Sequence, residues 1–512
     1  MQPNRPSSAQ LEQAARAGDP MARLHLGNQL IESPAGSAEC ERGLELLKLA
    51  AEGNNPPGSQ FNNPPGQVPA APAAQWLLGG FYLQNLSLPD GMTQACHWMG
   101  LAAQAGVGPA LDRMANMYLR GIGGAFEPRR ALDLVQRLAD AGFQRATWET
   151  GYLKSTLDEL ADPPGAVAAF ARACALGFPP AYYSLGLRFA LGAGVEADPA
   201  FARALLLRAA DANFPDALAA ADELVPAQRA GEKAGQWHAR LKDSHTRAGP
   251  LLQQLGGAGM VIPDGRDPAI DRLEAHFAGL QHPAFKISHE GRLVVARGSS
   301  ERFCARPSAW KWLSQRPRVA ISDDFVSREE RAQIMSMVGG ALMEPHKYTA
   351  ADAHGAAENE FFTGKGMAFG ALTSDVMVRC IERRIAESTD WEIDAVEPSS
   401  VISYKPGQEY RPHVDYFAEP SIAENRANLR DYGGQRVVTF LVCLQAAEEG
   451  GETYYPPVDL KVPHRAGTAA LHYNTLPDGR VDELSLHHGL PVRRGEKWLL
   501  RTTLRANSRY VE

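Results

Sequence analysis

Nowhere does this chain of 512 residues run to the roughly 18 consecutive apolar residues that a membrane-spanning helix requires. Its opening, "MQPNRPSSAQLEQAARAGDP", has no apolar core of the secretory kind. Cysteine is scarce too: Cys40, Cys96, Cys174, Cys304, Cys380 and Cys443 are scattered singly, without CxxC spacing, which argues against a disulfide framework. We read all six as reduced, buried side chains of a cytoplasmic protein. Surplus positive charge is missing as well. A net charge of -7 and a pI of about 6.1 give no field to attract nucleic acid or an anionic membrane. Hydrophobic content of 44% and charged content of 22% are ordinary, leaving a soluble globular protein long enough for two or three domains.

What is present first is repetition. The segments "LAAQAGV", "LADAGF", "ACALGF" and "AADANF" end at Val107, Phe143, Phe178 and Phe214, a spacing of 35 or 36 residues that fits a two-helix repeat. In the unit from Ala181 to Phe214, Ala181, Leu185 and Phe189 form one helical stripe. "GAG" breaks it, Asp198-Pro199 restarts it, and Ala202, Leu205, Leu206 and Ala209 form the second. The small residues allow paired helices to approach closely, and each pair buries its face only against the next. About five such units predict a curved all-α solenoid over residues 20–222, preceded by a tail at 1–19. The pattern resembles the Sel1-like subgroup of tetratricopeptide repeats. Such a surface suits a protein or peptide; the plainer alternative is an α-layer that props up the second half. The Pro- and Asn-rich stretch from Asn54 to Ala74 predicts a mobile loop between repeats.

Residues 223–316 read as a connecting region of mixed structure, with a hairpin over Phe285–Gly298 turning at Glu290-Gly291. His276, His282 and His289 within it have no ligand-like spacing. From 317 to 508 the pattern changes. Two helical stretches, "SREERAQIMSMVGGAL" with Ser327 as N-cap and Glu330 three residues on, and "SDVMVRCIERRIAEST", precede short β-branched runs such as "RVVTFLVCL", "TAALHY" and "KWLLRTTLR". Helices first and many antiparallel strands afterwards predict a barrel or jelly roll braced by helices.

Within "SYKPGQEYRPHVDYF", His413 and Asp415 are two apart, and Arg411 before Pro412 is biased towards extended geometry. Both side chains then reach one metal from the same face of the chain. A second histidine downstream would complete a two-histidine, one-carboxylate set that leaves adjacent positions open on an octahedral metal. "LHHGL" offers His487 and His488. Adjacent strand residues face opposite ways, so only one of them can enter the site. A 2-oxo acid chelating such a metal would need a cation for its distal carboxylate, and Lys497, ten residues after His487, supplies one.

The pieces "DDFVSREER", "SYKPGQEYRPHVDYF", "GGQRVVTFLVCL", "EEGGETYYPP", "AGTAALHYN" and "DELSLHHGLPVRRGEKW" together resemble, in order and spacing, the prolyl 4-hydroxylase family of Fe(II)- and 2-oxoglutarate-dependent dioxygenases. The resemblance implies a double-stranded β-helix (jelly-roll) domain in which His413, Asp415 and His487 hold iron. It implies that Lys497 pairs with the distal carboxylate of 2-oxoglutarate, with Tyr404 and Thr439 as further polar partners of the co-substrate. It also implies O2 as co-substrate, ascorbate as auxiliary reductant, and release of succinate and CO2 as a C-H bond is hydroxylated. His488 would face away from iron, towards the substrate opening, while His464 and His472 read as surface or packing residues. Tyr416 and Phe417 read equally well as a substrate wall or as aromatic filling.

Two departures stand out. Phe362 of "FFTGKG" falls where the family has an arginine, and Thr503 where it has a second tryptophan; the first puts proline as the target in question. The expected substrate is a prolyl or other side chain of a protein or peptide, held with help from the repeats. A small-molecule or free amino-acid hydroxylase, a scaffold that has lost catalysis, and a zinc hydrolase on the same trio are the alternatives.

Overall fold

In the computed structural model the described residues are 8–52, 70–86, 88, 90–225, 284–287, 293–295, 304–342, 362–370, 375–418, 429 and 433–507. They fall into two compact units, one reaching to Ala141 and the other beginning at Gly142.

The first unit contains seven helices: α1 (Ser8–Arg16), α2 (Pro20–Leu30), α3 (Ala38–Ala51), α4 (Ala70–Gln84), α5 (Gly91–Gln104), α6 (Gly108–Arg120) and α7 (Pro128–Asp140). Close pairing depends on small residues. A Cβ added to Gly79 of α4 would lie 2.8 Å from the backbone nitrogen of Met99 in α5. Two expectations need correction here. The tail at 1–19 includes α1, whose Leu11 and Ala15 bury against Ala22 and Leu26. The loop expected to Ala74 ends by Ala70, because Pro72 falls in the first turn of α4, where its missing N–H costs nothing, and Ala73 and Ala74 are buried. The rest of that loop, from Asn54 to residue 69, lies outside the described residues.

The second unit opens with α8 (Gln144–Thr156), α9 (Pro163–Ala175), α10 (Pro179–Leu191), α11 (Pro199–Asp211) and α12 (Ala217–Leu224). α10 ends at Gly192, with φ +73°, and Asp198 caps α11 by accepting from the Phe201 N–H at 3.0 Å. Both stripes read from the sequence are buried. So are Tyr183, Ser184, Leu187 and Arg188 of α10, because α10 also packs on the C-terminal portion.

Strands β1 (Phe285–Ile287) and β2 (Leu293–Val295) pair antiparallel, forming the hairpin expected there. Its turn, the three histidines between 276 and 289, and most of the connecting region lie outside the described residues. The last part of that region is instead a strand of the main sheet. β3 (Lys311–Gln315) pairs with β4 (Arg318–Ser322) at the sheet edge, where largely exposed residues leave no hydrophobic alternation to read.

The remaining elements are α13 (Arg328–Val338), β5 (Lys365–Ala368), α14 (Val376–Thr389), β6 (Ser400–Tyr404), β7 (Tyr410–His413), β8 (Arg436–Gln445), β9 (Glu449–Gly450), β10 (Thr453–Tyr455), β11 (Leu460–Val462), β12 (Ala469–Tyr473), β13 (His487–Gly489), β14 (Val492–Arg494) and β15 (Lys497–Arg505). Seven strands form one antiparallel sheet in the order β3-β4-β12-β8-β15-β6-β5, and four form a second in the order β11-β10-β13-β7. Val319 and Ala470 of the first sheet pack on Tyr455 and Val462 of the second, giving the double-sheet, jelly-roll arrangement. β8 and β15 are buried along nearly their whole length, and α13 packs against β8.

The helical layer is fastened to the sheets by buried charge. Glu330 closes a capping box with Ser327 at the start of α13, accepts from the Tyr152 hydroxyl of α8 at 2.7 Å, and pairs with Arg384 of α14 at 2.8 Å. Arg188 of α10 forms a buried ion pair with Glu329 at 2.7 Å. Arg145 of α8 pairs with Asp375, the N-cap of α14.

Candidate metal centre

β7 and β13 run antiparallel with His413 opposite His487, and the chain leaving β7 brings Asp415 to the same point. One donor atom from each of these three residues lies within 4.8 Å of the others. The histidine tautomers follow from their partners. Nδ1 of His413 is 2.8 Å from the Arg411 carbonyl and Nδ1 of His487 is 3.0 Å from the Ser485 carbonyl. A carbonyl oxygen only accepts, so each Nδ1 carries the proton and each Nε2 presents a lone pair to the common point. Burial, and then the neighbouring His487, pushes His413 down to about 3, and burial also lowers His487. Both rings are therefore neutral, the form that ligates a metal. The ring of Tyr410 stacks on that of His413 with centroids 3.6 Å apart.

Asp415 is buried, which alone would raise its pKa; the Arg501 guanidinium, followed by His487 and His413, holds it well below the usual carboxylate range. Its Oδ1 accepts from Arg501 at 3.0 Å and its Oδ2 from the Thr439 hydroxyl at 2.7 Å. Asn474 in turn donates to the Thr439 oxygen at 3.0 Å. Thr439 thus acts on Asp415 and is not among the residues lining the cavity. Phe417, two residues after Asp415, has both backbone groups clasped by Gln435, and its ring meets the guanidinium groups of Arg436 and Arg505.

A pocket opens from the trio between the two sheets. Ile402, Leu441 and Leu499 give it apolar walls, and Lys497 and Tyr404 also line it. Lys497 is 3% exposed, lies 5.3 Å from the centre of the Tyr404 ring, and donates to the Gly451 carbonyl at 2.6 Å. Burial pulls its pKa from 10.5 down to about 8. Gly451 has φ +79°, a conformation that glycine adopts without strain. Phe362 packs edge-on against Tyr404 with ring centres 5.5 Å apart. His488 points away from the trio and meets Glu409 at 2.9 Å, while His464 bonds Thr453 at 2.8 Å.

Two residues of this neighbourhood were not expected beside Asp415: Arg501 was not singled out in the sequence, and His472 was read only as a surface or packing residue. Arg501 lines the cavity beside Asp415; strand alternation from Lys497 through Leu499 gave the signal that could have found it. His472 is fully buried, with Nε2 3.6 Å from Asp415 Oδ2 and Nδ1 2.9 Å from the Tyr455 hydroxyl. Nothing local in "AALHYN" marks it, because its position depends on β12 pairing with β8, His472 opposite Thr439.

Comparison with known proteins gives two family matches. The 2OG-Fe(II) oxygenase superfamily matches residues 399–505, and the Sel1 repeat matches residues 36–55, 72–107, 108–143 and 179–214. Probable prolyl 4-hydroxylase 3 of Arabidopsis thaliana is 33% identical over 235 residues, spanning 41% of this chain and 77% of the relative. The viral collagen prolyl hydroxylase of Paramecium Bursaria Chlorella virus-1, solved as its 2OG complex, is 24% identical, covering 37% of this chain and 96% of that one with a TM-score of 0.29. A Sel1 repeat protein from Oxalobacter formigenes is 22% identical, covering 52% of this chain and 75% of that one with a TM-score of 0.38.

Proposed function

The chain belongs to the prolyl 4-hydroxylase family of 2OG-Fe(II) oxygenases, and from that premise we propose that it hydroxylates a prolyl or other side chain of a protein or peptide substrate. As a 2-oxoglutarate-dependent dioxygenase it uses Fe(II), 2-oxoglutarate and O2. The observation that carries the site assignment is the convergence of His413, Asp415 and His487 within 4.8 Å, in one pocket with the buried Lys497.

The donor set fits Fe(II). Two neutral imidazoles and one carboxylate are a set that leaves adjacent positions open on an octahedral ion. When bound, Fe(II) supplies the redox chemistry by which 2-oxoglutarate, O2 and a substrate C-H bond become succinate, CO2 and a C-OH group. The remaining work belongs to the chain. Lys497, in our reading, holds the distal carboxylate of 2-oxoglutarate, with Tyr404 against its ammonium group. Ile402, Leu441 and Leu499 exclude water from the reacting end. Thr439 keeps Asp415 oriented, and Tyr410 braces the His413 ring. Ascorbate serves as the auxiliary reductant. Sel1 repeats help to hold the substrate, and we place the protein in the cytoplasm, where six unpaired thiols are stable.

The test is succinate formation by purified protein supplied with Fe(II), 2-oxoglutarate and candidate peptides. Succinate well above a His413→Ala control is expected, and none above it would overturn the catalytic reading. Anaerobic addition of Fe(II) and 2-oxoglutarate should also give a weak visible charge-transfer band. Its absence in metal-loaded protein would favour zinc on the same trio.

A further inference from the structure

His472 is a third histidine beside Asp415, and the chemistry just described leaves it unused. It is 1% exposed, its ring centre is 4.5 Å from that of His487, and its Nε2 has no hydrogen-bond partner among the described residues. It is not a member of the converging donor set, which comprises His413, Asp415 and His487. Its other nitrogen decides its protonation. The Tyr455 hydroxyl is 2% exposed in its residue and has Nδ1 of His472 as the acceptor in reach among the described residues. A buried hydroxyl without an acceptor loses its hydration uncompensated, so the O–H donates and Nδ1 accepts. The proton of the neutral ring then sits on Nε2, facing Asp415 Oδ2 at 3.6 Å.

We propose that His472 is a positioning residue: Asp415 Oδ2 lies 3.6 Å from the Nε2 of both His472 and His487, and the Nε2–H of His472, fixed in that tautomer by Tyr455, competes with the metal for Oδ2 and so favours ligation through Oδ1. Thr439 on the neighbouring strand already donates to Oδ2, and the Nε2 of His472 faces the same oxygen at 3.6 Å, beyond hydrogen-bond distance. Arg501, the partner of Oδ1, is about one-fifth exposed and can yield its place. The inference rests on the trio being a metal site. It gives His472 the tautomer opposite to that of His413 and His487.

Long-range ¹H–¹⁵N spectra of the full chain labelled at histidine, recorded without metal, read the tautomers directly. An Nε2–H ring assigned by its loss in His472→Phe is expected, with Nδ1–H rings for His413 and His487. Titration with Co(II) supplies the second readout. His472→Phe should bind about 10- to 100-fold more weakly with its visible band otherwise retained. His472→Gln, whose amide can donate to the same oxygen, should recover most of that loss. If His472→Phe does not fold, Tyr455→Phe carries the test, with a mixed tautomer at His472 and weaker Co(II) binding expected. An Nδ1–H ring at His472, unchanged Co(II) affinity in the variants, or a band change showing a lost ligand would overturn the proposal. Failure of the unaltered chain to bind Co(II) in a His413-dependent way would instead overturn the metal site itself.

Discussion

Lys497 sits at about 8 because its ammonium group is buried, and that shift acts in opposite directions on folding and on ligand binding. The folded pKa lies below the ordinary lysine value of 10.5, so the unfolded chain holds this proton more tightly. The penalty for burying the charge is present below pH 8 and is relieved as pH rises towards 10.5; stability of the ligand-free protein rises across that window. Affinity for 2-oxoglutarate should fall there, by up to about tenfold per pH unit, because the neutral amine cannot pair a carboxylate. Isothermal titration from pH 7 to 9.5 checks this, and Lys497→Met should bind weakly with no such dependence. The histidine doublet gives a sharper contrast. His487→Ala should abolish metal-dependent turnover, whereas His488→Ala loses only a half-buried contact with Glu409 and should retain it. Equal loss in both would overturn the assignment. His413 and Asp415 stood out through strand alternation and their HxD spacing, which are local properties, whereas the choice of His487 over His488 and the part given to Lys497 came from the family resemblance. His472 and the Thr439–Asp415 bond were not, since each depends on which strands become neighbours.

At the scale of elements, the N-terminus of α13 is where helices and sheets are joined. Ser327 and Glu330 were readable as a capping box from their spacing alone. The sequence could not reveal that the same carboxylate also serves Tyr152 and Arg384, residues far away in the chain. Removing it leaves a buried guanidinium without its partner, so Glu330→Ala should cost about 3–5 kcal/mol. Tyr152→Phe leaves Arg384 in place and removes one hydrogen bond to a charged acceptor, about 1.5–3 kcal/mol. Urea midpoints of the two variants, at unchanged slope, rank these effects; a larger loss from Tyr152→Phe would contradict the hierarchy. The edge strand β3 shows the complementary limit. Helix α10 was read from one apolar stripe, but β3 has too few buried residues to carry a pattern, and it stayed hidden inside the connecting region.

For the whole molecule, two truncations separate what the repeats do for folding from what they do for substrate. Cutting before Gly142 removes the first compact unit and leaves Arg145, Tyr152 and Arg188 in place. Cutting after residue 222 removes all three, exposing or stranding the carboxylates of Glu329, Glu330 and Asp375, each no more than 3% exposed in the intact protein. The fragment from residue 142 should therefore fold and consume 2-oxoglutarate without substrate at close to the full chain's rate. The fragment from residue 223 should be insoluble or inactive, its buried Glu329 and Asp375 having lost Arg188 and Arg145. Substrate turnover then discriminates between roles for the repeats. If they hold a protein or peptide, the fragment from 142 should lose turnover of the protein substrate through a higher KM, with uncoupled 2-oxoglutarate consumption preserved. Undiminished turnover of that substrate would mean that its recognition lies within residues 142–512, and an active fragment from 223 would refute the role assigned to the α8 and α10 contacts.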